Sequence, residues 1–289
     1  MTAEPGGPTV TARVDLHAHS TASDGTLSPT AAVETAHRAG LAALALTDHD
    51  TLAGVPEAQR AAAVVGLRLV PGVELSVHHG DQEVHLLGLH VRDVEALQAE
   101  LELYRQRRTE RAQSIVARLN AIGVALTDED VMTAAAGGAV GRPHVAKALI
   151  VRGFVKDARE AFDRYLGGGK PAYVDKERLD AVDGIAIIHR AGGIAVLAHP
   201  GSDGRRERIE PLVAAGMDGV EVRHPSHNSE DIKRLTALAE FFGLVPSGGS
   251  DWHGAMQGGR VLGAMQVPMA WLEAQDARVA ARRAAAAAA

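Results

Sequence analysis

The sequence predicts an α/β fold: a barrel-like sheet interrupted by a helical insert. Three observations carry this. Short apolar runs alternate with helical patterns across residues 13–91. The alternation stops across residues 92–169, where only helical periodicity is found. It then resumes across 170–270. Strand–helix alternation argues for a mostly parallel sheet or barrel. Residues 1–12 read as a disordered polar tail, and 271–289 as a C-terminal helix with an Ala-rich tail.

Val14 and Leu16 alternate in a strand that runs into His17. Ser28 and Pro29 open a helix as N-cap and first helical residue, and Gly40 closes it. Residues 41–46 form a buried strand, and Val55-Pro56 starts the next helix. Residues 67–70, 73–77 and 84–89 are further strands, with His78-His79 as a turn between them. In the insert, Leu97, Leu101, Tyr104, Ile115, Leu119 and Ile122 fit one face of a long helix. Its charged run, residues 100–111, reads as a solvated face. Thr127 caps a short helix, Gly141-Arg142-Pro143 opens another, and Gly167-Gly168-Gly169 resembles a hinge. Helices at 181–190, 209–215 and 232–242 then alternate with strands at 194–198, 219–222 and 244–246.

The chain has 289 residues, 14 His and no Cys. The missing thiol excludes a disulfide scaffold, a thiolate zinc site, an iron–sulfur cluster and a cysteine nucleophile. A bound metal must therefore use nitrogen and oxygen ligands. A net charge of −6 gives no basic field for duplex DNA, and 3% aromatics make a stacking platform for many bases improbable. With 53 Ala, much of the hydrophobic fraction is small side chains. No apolar run reaches the roughly 20 residues of a membrane span, so a soluble, cytoplasmic protein is expected. The sequence sets no oligomeric state.

Ligand-type side chains recur where the strands end. They fall in Asp15-Leu16-His17-Ala18-His19, with Asp24 beyond, in Thr47-Asp48-His49-Asp50, and in Gly72-Val73-Glu74. They recur in His85-Leu86-Leu87-Gly88, Ala198-His199-Pro200 and Gly249-Ser250-Asp251-Trp252-His253. In a β/α barrel, strand C-terminal ends gather around one mouth. Alternate residues of a strand point the same way, so His17 and His19 can serve one metal. Asp251 and His253 repeat that spacing, and a carboxylate such as Glu74 can bridge two metals. A single histidine at a strand end is more often a hydrogen-bonded structural residue than a ligand. Burying so many titratable groups together without a metal would be costly. His37, His78, His79, His90 and His189 read as incidental.

These segments together resemble the PHP (polymerase and histidinol phosphatase) superfamily over about residues 14–267. They resemble its stand-alone members that act on nucleoside 3′,5′-bisphosphates or on short RNA from the 5′ end. The resemblance implies a distorted (β/α)7 barrel with two or three divalent ions, manganese before iron or zinc. It implies that His17, His19, Glu74 and Asp251 hold one metal. Glu74, His85 and His199 would hold a second, and Asp24, His49 and His253 a third. His17, His19, Glu74, Asp251 and His253 would form the catalytic group.

Arg142 offers a planar fork for phosphate at a helix start, and the resemblance places an insert arginine near the phosphate. His224 and His227 follow the strand at 219–222, with His224 favoured, and His144 is a further candidate. The expected activity is hydrolysis of a phosphomonoester of a small nucleotide by metal-bound hydroxide, at the 3′-phosphate of a nucleoside 3′,5′-bisphosphate. A 5′→3′ exoribonuclease acting on short RNA is the alternative. A phosphatase of histidinol-phosphate type, an amidohydrolase and a non-catalytic metal-binding module rank lower. For the amidohydrolase, no lysine stands at a strand end to carry a bridging carbamate.

Overall fold

Asp15 closes the first strand, and its neighbours in space come from far along the chain. In a computed structural model, which describes residues 12–135, 140–175 and 179–288, eight strands form one sheet. They are β1 (Arg13–Asp15), β2 (Ala43–Leu46), β3 (Arg68–His79), β4 (Gln82–Leu89), β5 (Ile194–Leu197), β6 (Gly219–Arg223), β7 (Val245–Gly248) and β8 (Val267–Pro268). Their order is β7-β6-β5-β4-β3-β2-β1-β8. The expected tail lies outside the described residues, apart from residue 12.

The pairs β1–β2, β2–β3, β5–β6 and β6–β7 are parallel. The strand β4 runs against both β3 and β5. The cause is local: β3 and β4 are joined by Gly80 and Asp81, and so short a link permits only an antiparallel pair. Gly80 takes φ +62, the left-handed conformation such a turn needs. His78 and His79 are therefore the last residues of β3, and the turn falls just after them.

The sheet nearly closes. Leu16 N–H donates to Gly248 O at 3.1 Å, and His19 N–H to Trp252 O at 2.8 Å. A side chain on Gly249 would meet the His17 main chain at 2.4 Å, so the closing seam requires glycine there. The short β8 covers the free side of β1. The result is a mixed α/β barrel of seven main strands with a two-residue eighth.

Helices α1 (Pro29–Arg38) and α2 (Val55–Val65) connect the first strands. Ser28 caps α1 by accepting from Ala31 N–H. Between β4 and β5 come α3 (Val94–Ala121), α4 (Asp128–Ala135), α5 (Arg142–Val151) and α6 (Ala158–Ala161), the last continued by a π-helical turn to Leu166. Leu97 and Leu101 of α3 belong to the barrel core. Ile115, Val116 and Leu119 of the same helix pack in a separate cluster with Val145, Leu149, Leu166 and Ala172. The long helix is thus half barrel and half cap. Its charged run is not wholly solvated, since Arg108 binds Asp50 at 2.7 Å and Arg111 binds the Val174 and Asp175 carbonyls.

Helices α7 (Ala181–Arg190), α8 (Arg206–Ala214) and α9 (Ser229–Phe242) alternate with the last strands. The terminal α10 (Met269–Ala288) lays Leu272 and Val279 against the barrel. Among the described residues, no helix is long and apolar enough to cross a membrane.

Candidate metal centre and active site

Glu74 stands at the middle of the mouth, fully buried. Its Oε2 lies 3.0 Å from His17 Nε2, 3.2 Å from His19 Nε2 and 3.4 Å from His49 Nδ1. Its Oε1 lies 2.7 Å from His85 Nδ1 and 2.9 Å from His199 Nε2. Each carboxylate oxygen thus faces its own set of imidazoles, the arrangement of a bridging ligand.

Asp251 completes the first set, with Oδ1 at 3.2 Å from His19 Nε2 and 3.5 Å from His17 Nε2. Asp24 completes an outer set, at 3.2 Å from His253 Nε2, 3.7 Å from His19 Nδ1 and 3.8 Å from His49 Nε2. All nine residues expected to be ligands are brought together. In three groups the ligand atoms lie within 4.8 Å of one another: His17, His19, Glu74 and Asp251; His49, Glu74 and His85; and His19, Asp24, His49 and His253. His49 joins two groups, because its ring lies between Glu74 and Asp24.

The fit to metal rests on the donors. His19 is buried, yet neither ring nitrogen makes a hydrogen bond. Such groups normally find partners, and a cation between His19 and the carboxylates would supply one. His253 donates from Nδ1 to the Asp251 carbonyl at 2.9 Å, leaving Nε2 turned toward Asp24. His199 and Asp251 both have positive φ, +29 and +50. Strained backbone of this kind concentrates at functional sites. Histidine and carboxylate donors suit manganese, iron or zinc.

Electrostatics point the same way. Burial opposes ionisation of Glu74, but the charge and hydrogen bond of His17, with the close approach of His19 and the bond from His199, hold its carboxyl well below the usual range. Burial likewise opposes ionisation of Asp251, and His19 and His224 hold it low. Asp24 falls to about 2, against its own burial, through the His253 hydrogen bond and the charges of His49 and His253. His17 is raised well above the ordinary value: burial would lower it, but Glu74 and Glu221 outweigh that. Anionic carboxylates are thus held ready at the mouth, where they attract cations.

The substrate candidates divide. Arg142 lines a cavity of about 460 Å³ together with Asp24, His49 and His85. Its guanidinium lies between the Phe162 and Tyr173 rings, 5.7 and 5.4 Å from their centroids, and donates to Leu166 O at 3.1 Å. His144 lines the same cavity, but its Nδ1 accepts from Gly141 N–H at 3.0 Å, which closes the start of α5. His224 is buried beside the centre. Its Nδ1 accepts from Ser226 N–H, so the proton on Nε2 points at Asp251 Oδ2, 3.3 Å away. His227 departs from expectation. Its Nε2 accepts from Gly201 N–H and its Nδ1 donates to Val222 O, so both nitrogens are used by the backbone and none is left for substrate.

Four acids around the mouth have roles the sequence did not reveal. Asp15 accepts from the main-chain N–H groups of His17, Ser250 and Gly263, and so ties three segments together. Asp48 accepts from Ser20 and Ser23 and holds the loop that carries Asp24. Asp50 accepts from Ser76 N–H and Arg108. Glu221 contacts His17 and His199. A signal for Glu221 existed, since Gly219-Val220-Glu221-Val222 repeats the pattern of Gly72-Val73-Glu74-Leu75.

Fold and site together define a metal-dependent barrel hydrolase whose mouth gathers histidines and carboxylates. Residues 15–175 match the PHP domain, and the chain belongs to that family. It is 42% identical to a 3′,5′-nucleoside bisphosphate phosphatase of Chromobacterium violaceum, over 87% of this chain and 91% of the relative. It is 40% identical to a 5′-3′ exoribonuclease of Haemophilus influenzae, over 84% and 91% of the two chains. A crystal structure from Bifidobacterium adolescentis, described as a candidate metal-dependent phosphoesterase, superposes with a TM-score of 0.70. That match has 31% identity and covers 94% of this chain and 98% of the other.

Proposed function

We propose that this protein is a metal-dependent phosphoesterase that removes the 3′-phosphate of a nucleoside 3′,5′-bisphosphate. The observation that carries the reading is Glu74, whose two oxygens face two separate sets of imidazoles. That is the ligand arrangement of a two-metal centre, in which bound ions activate water and neutralise the phosphoryl group undergoing in-line displacement. We assign manganese before iron or zinc. His17, His19, Glu74 and Asp251 would hold one ion, Glu74, His85 and His199 a second, and Asp24, His49 and His253 a third.

The chain's own groups do the remaining work. Arg142, held by two aromatic rings and a carbonyl, presents its guanidinium to a phosphate in the cavity. His224 offers the Nε2 proton near Asp251 to a phosphate oxygen or to the leaving alkoxide. The cavity of about 460 Å³ is within the range of small-ligand pockets, about 300–1,000 Å³, and suits a mononucleotide. The relative from Chromobacterium violaceum supports the same substrate class.

A second reading, 5′→3′ hydrolysis of short RNA, has its own observation. A neighbouring cavity of about 250 Å³ shares Arg105, Arg108 and Arg111 with the first and adds Tyr104 and Arg107. This basic, partly aromatic wall could follow a short single strand. The experiment is phosphate and nucleotide release by the manganese-loaded protein. The panel is adenosine 3′,5′-bisphosphate, 5′-AMP, histidinol phosphate and a length series of 5′-phosphorylated oligoribonucleotides. Release of 3′-phosphate from the bisphosphate is expected. Turnover that rises with oligonucleotide length favours the second reading, and no release from any substrate by metal-loaded protein rejects both.

A further inference from the structure

Glu221 stands on β6, fully buried, and both its oxygens are committed. Oε1 accepts from His17 Nδ1 at 3.1 Å. Oε2 accepts from the His199 main-chain N–H at 2.8 Å. These two residues approach opposite oxygens of Glu74, His17 at Oε2 and His199 at Oε1. Glu74 and Glu221 therefore hold the same pair of residues from two sides.

A neutral imidazole has one lone-pair nitrogen and one N–H. A carboxylate at Nδ1 fixes the proton there and turns the Nε2 lone pair toward Glu74 and Asp251. Metal-binding histidines depend on such partners for ring orientation and basicity. His17, Glu221 and His224 also lie close enough to form a small metal group of their own. That reading fails at His17, which cannot give a lone pair to one cation from Nδ1 and to another from Nε2. The second bond has a different task. His199 has φ +29, a conformation that persists only where surrounding contacts impose it. The Glu221 bond to its N–H imposes it.

We propose that Glu221 is a positioning residue of the metal centre. It locks His17 in its Nδ1–H form and clamps the His199 backbone, and so sets the affinity of both ion positions that Glu74 bridges. This rests on the metal-dependent reading above.

Glu221→Gln tests it with almost no change of shape. The His199 N–H can only donate, so it takes the amide oxygen. The amide NH2 then faces His17 Nδ1, which must accept. The His17 proton moves to Nε2, and the nitrogen aimed at the metal is blocked. Mn(II) affinity would be read from the free-ion EPR signal, alongside thermal unfolding of metal-free protein. The His17 tautomer would be read from ¹⁵N imidazole spectra of the protein loaded with diamagnetic Zn(II), assigned by the signal lost in His17→Asn. The expected result is Mn(II) binding weaker by about 10–100-fold, with His17 converted to its Nε2–H form. Metal-free protein should unfold earlier than wild type, since buried His17 loses one of its two carboxylate partners. Unchanged Mn(II) affinity overturns the proposal, as does early unfolding of the metal-free variant with full affinity in its folded fraction. Glu221→Asp, which keeps the charge but cannot reach both partners, should also bind Mn(II) more weakly and serves if the Gln variant does not fold. A wild-type protein that takes up no Mn(II) overturns the metal centre itself, and the Glu221 role falls with it.

Discussion

Asp50 Oδ2 accepts from Arg108 Nη1 at 2.7 Å, and the pair joins the barrel mouth to the cap. Asp50 follows His49 directly, has φ +51, and also accepts from Ser76 N–H. Arg108 comes from the part of α3 that leaves the barrel core and enters the cap core. Both side chains are largely buried, so removing one partner costs more than breaking an exposed pair would. Arg108→Ala should lower kcat/KM by loosening His49 and the arginine-lined cavity wall together. A double-mutant cycle with Asp50→Asn should give a coupling of about 0.5–3 kcal/mol in stability. Strictly additive losses in urea unfolding would show that the two residues do not act as a pair.

The ligands should separate catalysis from folding. His17→Ala and His253→Ala remove donors from different groups, and each should lower kcat by at least about 100-fold. Metal-free His253→Ala should melt close to metal-free wild type, because that ring is partly exposed, whereas His17→Ala should melt earlier, because it leaves buried Glu74 and Glu221 without their shared partner. In wild type, manganese at about 100 times its dissociation constant should add about 2.7 kcal/mol per independent site. Calorimetry with and without chelator reads that shift. Unimpaired turnover in both variants would reject the site.

Much of this was legible because it is local. The strand–helix rhythm marked the barrel, and ligands such as His17 and His199 stand just beyond apolar strands, although Glu74 and His85 lie inside β3 and β4. What was missed depends on distant contacts. Glu221 meets His17 across 204 residues, and Asp15 meets Gly263 across 248, and periodicity carries no such information. The charged run of α3 read as solvated because a helical pattern does not say which face meets the barrel. His227 read as a candidate because the sequence does not show that its ring nitrogens bond the Gly201 N–H and the Val222 carbonyl.

Arg142 makes a sharp test of the phosphate reading. Its fork lies between Phe162 and Tyr173, and a lysine ammonium cannot reproduce both the stacking and the two-pronged contact. A hydrogen bond to a charged group is worth about 1.5–3 kcal/mol, or roughly 10–150-fold. Arg142→Lys should lower kcat/KM for a bisphosphate within that range, with Mn(II) affinity unchanged. His227→Gln should alter stability more than turnover, since His227 bonds only backbone groups. Equal kinetics for Arg142→Lys and wild type would remove Arg142 from the substrate site.

His90 predicts a pH effect outside the centre. It has φ +59, and its Nε2 contacts Gln275 Oε1 at 3.3 Å, beneath α10. Burial pushes its pKa below the ordinary 6.5, and the Gln275 bond and Asp276 only partly oppose that. A depressed histidine is neutral when folded and binds a proton more readily when unfolded. The unfolded state therefore holds more protons in the window just below pH 6.5, and stability must rise with pH there. This contribution is complete above pH 6.5 and is lost as the pH falls toward the folded-state value, with a slope of at most about 1.4 kcal/mol per pH unit. Asn tolerates the left-handed backbone and does not titrate. Urea unfolding of metal-free wild type and His90→Asn at pH 7.5 and 5.5 isolates the effect, because the other histidines cancel in the difference. Wild type should lose more stability on acidification than His90→Asn does. Equal losses in the two would show that His90 keeps an ordinary titration in the folded chain.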